Sequence, residues 1–228
     1  MTQPDLEAVL FDLDGTLVDT APDIAYAINA LLQINGKPAL AFEQIRPVVS
    51  QGGAALITLA FSEADDDDRE TLRQHFLELY SQRLQADGQP PNQLFPDMAK
   101  LLDYIEDRGW AWGIVTNKPT WLTRPLLATM QLEQRIATLV CGDMVSRPKP
   151  DPSALLLACE QIGCRPAHAV YIGDARRDIE AGHAAGLRTL VAGYGYIASD
   201  EDTADWRADG SVTTVAGIRG WLDHHVAG

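Results

Sequence analysis

"AVLFDLDGTLVDT" spans residues 8–20 of a 228-residue chain and joins an apolar run to two closely spaced acids. Four apolar residues, Ala8 to Phe11, lead directly into Asp12, and Asp14 follows two positions later with Gly15 and Thr16 behind it. A short continuous apolar run of this kind reads as a strand buried on both faces, with the acids standing at its carboxyl end. Two carboxylates so close repel one another unless a cation or a shared proton relieves them. The stretch therefore poses a question of chemistry.

Comparable runs recur at "WAWGIVTN" (110–117), "ATLVCGD" (137–143), "HAVYIGD" (168–174) and "RTLVAGYG" (188–195), and helically spaced Leu, Ile and Ala fill most of the intervals. This alternation predicts an α/β fold, a Rossmann-like parallel sheet covered by helices on both faces. Ligands of such sheets sit beyond the carboxyl ends of the strands. Asp12, Thr116 with Asn117, Asp143 and Asp174 occupy those ends and are expected to converge on one crevice.

One interval departs from the pattern. Between Thr16 and Leu94 the residues suggest no strand, while "APDIAYAINALLQING", "GGAALITLAF" and "DDRETLRQHFLELYSQRLQA" carry apolar residues at three-to-four spacing. The expectation is a helical insert over 16–94 within an α/β core made of 1–15 and 95–228. Pro90, Pro91 and Pro96 mark its return, ahead of a helix over "DMAKLLDYIEDRG". The acidic run Asp65 to Asp68 reads as a solvated helix start.

Composition narrows the function. The net charge of −14 opposes contact with nucleic acid or an anionic membrane, and an anionic substrate would need local positive charge. No apolar run approaches the roughly 18 residues of a membrane span, and "MTQPDLE" lacks the character of a secretory signal, so a soluble, cytoplasmic protein is expected. Cys141, Cys159 and Cys164 lack CxxC spacing and read as reduced thiols. Monomer and homodimer both remain open.

Four segments, "DLDGT", "IVTNK", "RPKPDP" and "GDARRD", together resemble the haloacid dehalogenase-like hydrolases, in the family's order and across essentially the whole chain. The resemblance implies a Mg²⁺-dependent phosphatase acting on a small-molecule phosphate ester. It makes Asp12 the nucleophile that forms an aspartyl-phosphate and Asp14 the general acid and base. It assigns Thr116 and Lys149 to the phosphoryl oxygens, and gives the metal the carboxylates of Asp12 and Asp174, the main-chain carbonyl of Asp14, and Asp178 directly or through water. Backbone N–H groups near Gly15 and Asn117 would add anion contacts. The chemistry is sensible apart from the resemblance: a phosphate dianion entering a pocket of aspartates is repelled unless a hard, oxygen-seeking cation lies between them. Pro148 and Pro150 flank Lys149 and restrict its backbone, and Gly173 is expected to permit a tight turn before Asp174.

The insert resembles the mobile caps of the phosphoglycolate phosphatase-like and β-phosphoglucomutase-like branch. "RPVVSQGGAAL" and "AGYGYI...DWRADG...WL" look most like N-acetylmuramic acid 6-phosphate phosphatases, with phosphoglycolate phosphatases the close alternative and a phosphomutase a further one. On that resemblance Arg46, Ser50, Gln51, Gly52 and Gly53 face the substrate. The same residues also read as a plain helix start at Gly52 and Gly53 and a surface position at Arg46. Asp19 reads as a reach toward the phosphate or as capping and hinge support beside Thr20 and Pro22. Arg176 and Arg177 read as facing solvent or neighbouring loops, Trp110 and Trp112 as strand packing, and His224 and His225 as surface residues. A receiver-like signalling module shares acceptor Asp, Thr and Lys but orders them differently and lacks the insert.

Overall fold

The computed structural model describes residues 6–86 and 93–226. It begins with β1 (Ala8–Phe11) and a two-residue β2 (Val18–Asp19), then runs through α1 (Ala21–Ile34), α2 (Phe42–Val49), α3 (Gly53–Ala60) and α4 (Asp66–Gln85) to β3 (Gln93–Leu94). There follow α5 (Met98–Asp107), β4 (Ala111–Val115), α6 (Thr120–Thr129), β5 (Thr138–Val140), α7 (Ser153–Ile162), β6 (Ala169–Gly173), α8 (Arg176–Ala185), β7 (Arg188–Ala192), β8 (Gly210–Val212) and α9 (Val215–Val226). The large sheet is parallel throughout, in the order β5-β4-β1-β6-β7-β8.

The period-two geometry of β1 explains its apolar run. Ala8 and Leu10 pack with Ala154, Leu155 and Ala158 of α7, while Val9 and Phe11 point to the opposite face, the side of Leu101, Leu126 and Ile218 from α5, α6 and α9. Each residue of β1 is fully buried, as a central strand between two helical layers must be. Register then positions the chemistry. Phe11 lies level with Ile114 of β4 and Ile172 of β6, so Asp12 leaves the sheet beside the ends from which Thr116 and Asp174 also leave.

Several expectations need correction. A sixth strand, β8, closes the sheet edge, and its three residues of mixed exposure give no apolar run to read. The interval between β1 and α5 is not purely helical, because Val18 and Asp19 pair antiparallel with Leu94 and Gln93 to form a two-stranded neck. Helix α2 lies in the interval expected to be helical even though it passes through Pro47, a residue that argues against a helix interior. Pro90 and Pro91 lie outside the described residues. No described helix is long and apolar enough to cross a membrane.

Candidate active site

Asp12, Asp174 and Asp178 are all buried, and one carboxylate oxygen from each lies within 4.8 Å of the others. Lys149 enters this group from the loop before α7, with Nζ 2.9 Å from Asp12 Oδ1 and 2.7 Å from Asp178 Oδ1. The Tyr171 hydroxyl and the Val115 carbonyl complete its contacts. Burial opposes the charge on Lys149, but Asp12 and Asp178 outweigh it and hold the amine above its ordinary value. One ammonium does not neutralise three carboxylates. Burial first, and the charge of Asp178 second, push Asp12 up to about 6; burial and the charge of Asp12 push Asp174 up to about 8. A hard divalent cation would relieve this excess, and an all-oxygen donor set suits Mg²⁺. The residues fit the ion that the motifs imply.

Glycines make the cluster this tight. Gly15 has a positive φ of 82°, and a Cβ there would stand 2.2 Å from Asp174 Oδ2. Gly173 serves a different purpose from the turn expected of it: its φ is not positive, and a Cβ would collide with the Asp178 side chain at 2.4 Å. Asp174 is held by the Tyr196 N–H at 2.7 Å, the Thr16 hydroxyl at 3.3 Å and the Ser50 hydroxyl at 2.8 Å.

Asp14 stands beside Asp12 in the same pocket. Its Oδ1 accepts from the Thr20 hydroxyl at 2.6 Å and from Lys118 Nζ at 2.8 Å. Lys118 closes the "IVTNK" segment with no role evident from the sequence, yet its ammonium is buried between Asp14 and the face of the Tyr80 ring. Burial works against its charge and Asp14 overrides it, raising its pKa. The position directly after Asn117 was the available signal.

A cavity of about 160 Å³ opens over Asp12 and Asp14. The core lines it with Thr116, Asn117, Lys118 and Lys149, and the helical segment contributes Ser50, Gly52, Gly53 and the apolar surfaces of Ile24, Leu56, Phe76 and Leu77. Asn117 lines the pocket while spending its amide on the main chain of Lys149, accepting from its N–H at 2.9 Å and donating to its carbonyl at 3.0 Å. That exchange fixes the lysine's approach.

Other expected residues lie elsewhere. Arg46 is not on the cavity wall, because its guanidinium stacks over Tyr196 and donates to the Tyr194 carbonyl. Gln51 also stands outside, exposed on a shallow groove behind Ser50. Asp143 does not reach the crevice: it accepts from the N–H and hydroxyl of Thr120 at the start of α6. Asp19 accepts from the Tyr196 hydroxyl, and it is that hydroxyl, not Asp19 or Thr20, that receives the Ala21 N–H at the start of α1. Trp112 is buried in β4, as its alternation with Trp110 indicated. Arg177 turns from α8 to the Ser50 carbonyl in the loop after α2, as one of its two readings had it, and it also lines the cavity, which neither reading included.

Paired acids after the first strand, a buried lysine from a later loop and a third and fourth acid after β6 define a hydrolase site of one class. The model of the haloacid dehalogenase-like hydrolases matches residues 9–192, and the chain belongs to that family. It is 43% identical over 202 residues to a phosphoglycolate phosphatase of Xanthomonas campestris, covering 89% of this chain and 90% of the relative. It is 42% identical over 224 residues to the N-acetylmuramic acid 6-phosphate phosphatase of Pseudomonas putida, covering 98% and 99%. The crystal structure of a predicted phosphoglycolate phosphatase from Haemophilus somnus superposes with a TM-score of 0.83 at 26% identity, covering 97% of this chain and 99% of that one. Within its family the chain is a phosphatase, a phosphoric monoester hydrolase.

Proposed function

We propose that the chain hydrolyses N-acetylmuramic acid 6-phosphate through an aspartyl-phosphate on Asp12, with Mg²⁺ as its cofactor. The observation that carries the mechanism is the orientation of Asp12. Its Oδ1 accepts from the Leu13 N–H at 2.7 Å and lies 2.9 Å from Lys149 Nζ, which leaves Oδ2 free of hydrogen bonds among the described residues. That oxygen attacks phosphorus while the bond to the leaving oxygen breaks. Asp14, aimed by Thr20 and Lys118, protonates the departing alkoxide and then accepts a proton from the water that attacks the acyl-phosphate. Thr116 and Lys149 offer a hydroxyl and a positive charge to the phosphoryl oxygens as their charge redistributes. Asp12, Asp174, Asp178 and the Asp14 carbonyl would hold the ion, which supplies positive charge against the substrate dianion and orients it.

The substrate reading rests on the cavity beyond Asp14. A two-carbon leaving group needs little apolar wall, whereas Ile24, Leu56, Phe76 and Leu77 together offer a surface suited to a sugar ring. The helical segment over 16–94 acts as a cap that selects the leaving group and excludes water. Phosphate release from N-acetylmuramic acid 6-phosphate and from 2-phosphoglycolate, with and without Mg²⁺, tests the proposal. A kcat/KM at least tenfold higher for the sugar ester is expected; equal and poor turnover of both discards it, and formation of an isomeric sugar phosphate without free phosphate would identify a mutase.

A further inference from the structure

The cavity over Asp12 is lined by four cationic side chains, and three of them are already matched to carboxylates. Lys149 bridges Asp12 and Asp178, Lys118 pairs with Asp14, and Arg73 on α4 is held by both oxygens of Glu70 at 2.7 and 2.8 Å. Arg177 is different. Among the described residues its contact is a neutral one, a 2.6 Å hydrogen bond from Nη2 to the Ser50 carbonyl, and no carboxylate comes within ion-pairing distance, though Asp174, Glu180 and Glu201 line the neighbouring groove. The other arm of the guanidinium extends toward the cap, with Nη1 4.0 Å from where a Cβ on Gly52 would stand. Gly52 precedes α3 and provides no side-chain cap, so the first N–H groups of that helix start beside the same arm. A half-buried guanidinium with no directly paired carboxylate at the edge of a substrate pocket is a receptor for a planar anion, because its forked donors match a carboxylate bidentately.

We infer that Arg177 is a specificity-determining residue that binds a carboxylate on the leaving group, at the seam between α8 and the start of α3. The inference rests on the proposed function, in which the substrate carries a carboxylate in addition to its phosphate; both N-acetylmuramic acid 6-phosphate and 2-phosphoglycolate meet that description. It explains why a strongly acidic chain leaves one cation unmatched at this point, and it divides the work of recognition. Lys149 and Thr116 face the phosphoryl group, and Arg177 reads the acid at the far side of the ester. The hydrogen bond to Ser50 sets the angle of the guanidinium and keeps one edge available.

The test compares kcat/KM for N-acetylmuramic acid 6-phosphate with that for N-acetylglucosamine 6-phosphate, which lacks the carboxylate, in the wild type, Arg177→Gln and Arg177→Lys. Gln keeps a donor for the Ser50 carbonyl without the charge, and Lys keeps the charge without the fork; thermal unfolding verifies that each variant folds. The wild type is expected to prefer the acid, and the ratio of the two kcat/KM values should fall about 10- to 100-fold in Arg177→Gln, the span of a lost charge-assisted bond, and by less in Arg177→Lys. A folded Arg177→Gln whose ratio stays within twofold of the wild type overturns the assignment of Arg177 and leaves the substrate reading intact. A wild type that hydrolyses phosphate esters with no preference for the acid overturns the substrate reading, and this inference with it.

Discussion

The Ser50 hydroxyl donates to Asp174 Oδ2 over 2.8 Å, so a residue at the end of α2 bonds directly to the acid cluster beyond β6. The same hydroxyl lies 3.4 Å from the Asp14 carbonyl, the main-chain oxygen proposed for the metal. Groups that orient metal ligands affect affinity about as strongly as weak ligands do, commonly by about 10-fold or more. Ser50→Ala should therefore raise the Mg²⁺ concentration for half-maximal phosphatase activity by about tenfold. A magnesium titration showing less than a twofold change would separate the cap from the metal site.

Gly15 faces the same carboxylate from the core. A Cβ there would meet Asp174 Oδ2 at 2.2 Å and the Tyr196 ring at 2.7 Å, on a backbone already at positive φ. Neither neighbour is free to yield, since the Tyr196 N–H bonds Asp174 and its hydroxyl bonds Asp19. Gly15→Ala should leave less than about 1% of activity and lower the melting temperature by roughly 5 °C or more. Near-normal turnover of p-nitrophenyl phosphate would show that Asp174 can move without consequence.

Asp12→Asn and Lys149→Met should move stability in opposite directions while both abolish activity. The amide retains an acceptor for Leu13 and Lys149 yet is a very poor nucleophile, and it removes a charge that burial and Asp178 already disfavour. Metal-free Asp12→Asn is expected to melt at or above the wild-type temperature with activity below a few per cent. Removing the Lys149 ammonium strands two buried carboxylates, a change that costs about 3–5 kcal/mol when one partner of a buried pair is lost. Calorimetry in EDTA checks both; an unchanged melting temperature for Lys149→Met would contradict the assigned electrostatics.

The sequence made the centre of the molecule legible and its edges obscure, for physical reasons. β1, β4, β5, β6 and β7 carry largely apolar, buried runs and announce themselves, and three of the residues that end them, Asp12, Thr116 and Asp174, meet in the site. Lys149 and Asp178 were readable because the motifs carry them. β2 and β3 are two residues long, too short for any period to show, and β8, though as long as β5, reads Gly-Ser-Val with no buried residue where β5 is buried throughout. Lys118, Arg177 and Arg46 defeated a linear reading in another way: each long side chain takes its partner from a distant segment, Asp14, Ser50 and Tyr194 respectively. Asp143 shows the converse error, a strand-end acid diverted to Thr120, 23 residues earlier.

The raised carboxylates give the metal-free protein a characteristic pH dependence. Asp12 and Asp174 start from an ordinary value of 3.8 and stand at about 6 and about 8 in the fold. Between those limits the folded state binds protons that the unfolded chain has released, so the contribution to stability is complete below about pH 4 and disappears as pH rises through about 6 and then about 8. The melting temperature in EDTA should accordingly fall from pH 5 to pH 8. A divalent ion competes with those protons for the same oxygens, and its binding stabilises the fold by mass action. Millimolar Mg²⁺ should therefore raise the melting temperature at pH 8 by roughly 3–6 °C, more than at pH 5, and flatten the slope. A metal-free protein that grows more stable from pH 5 to pH 8, or a magnesium effect larger at pH 5, would mean that Asp12 and Asp174 do not share the charge conflict assigned to them.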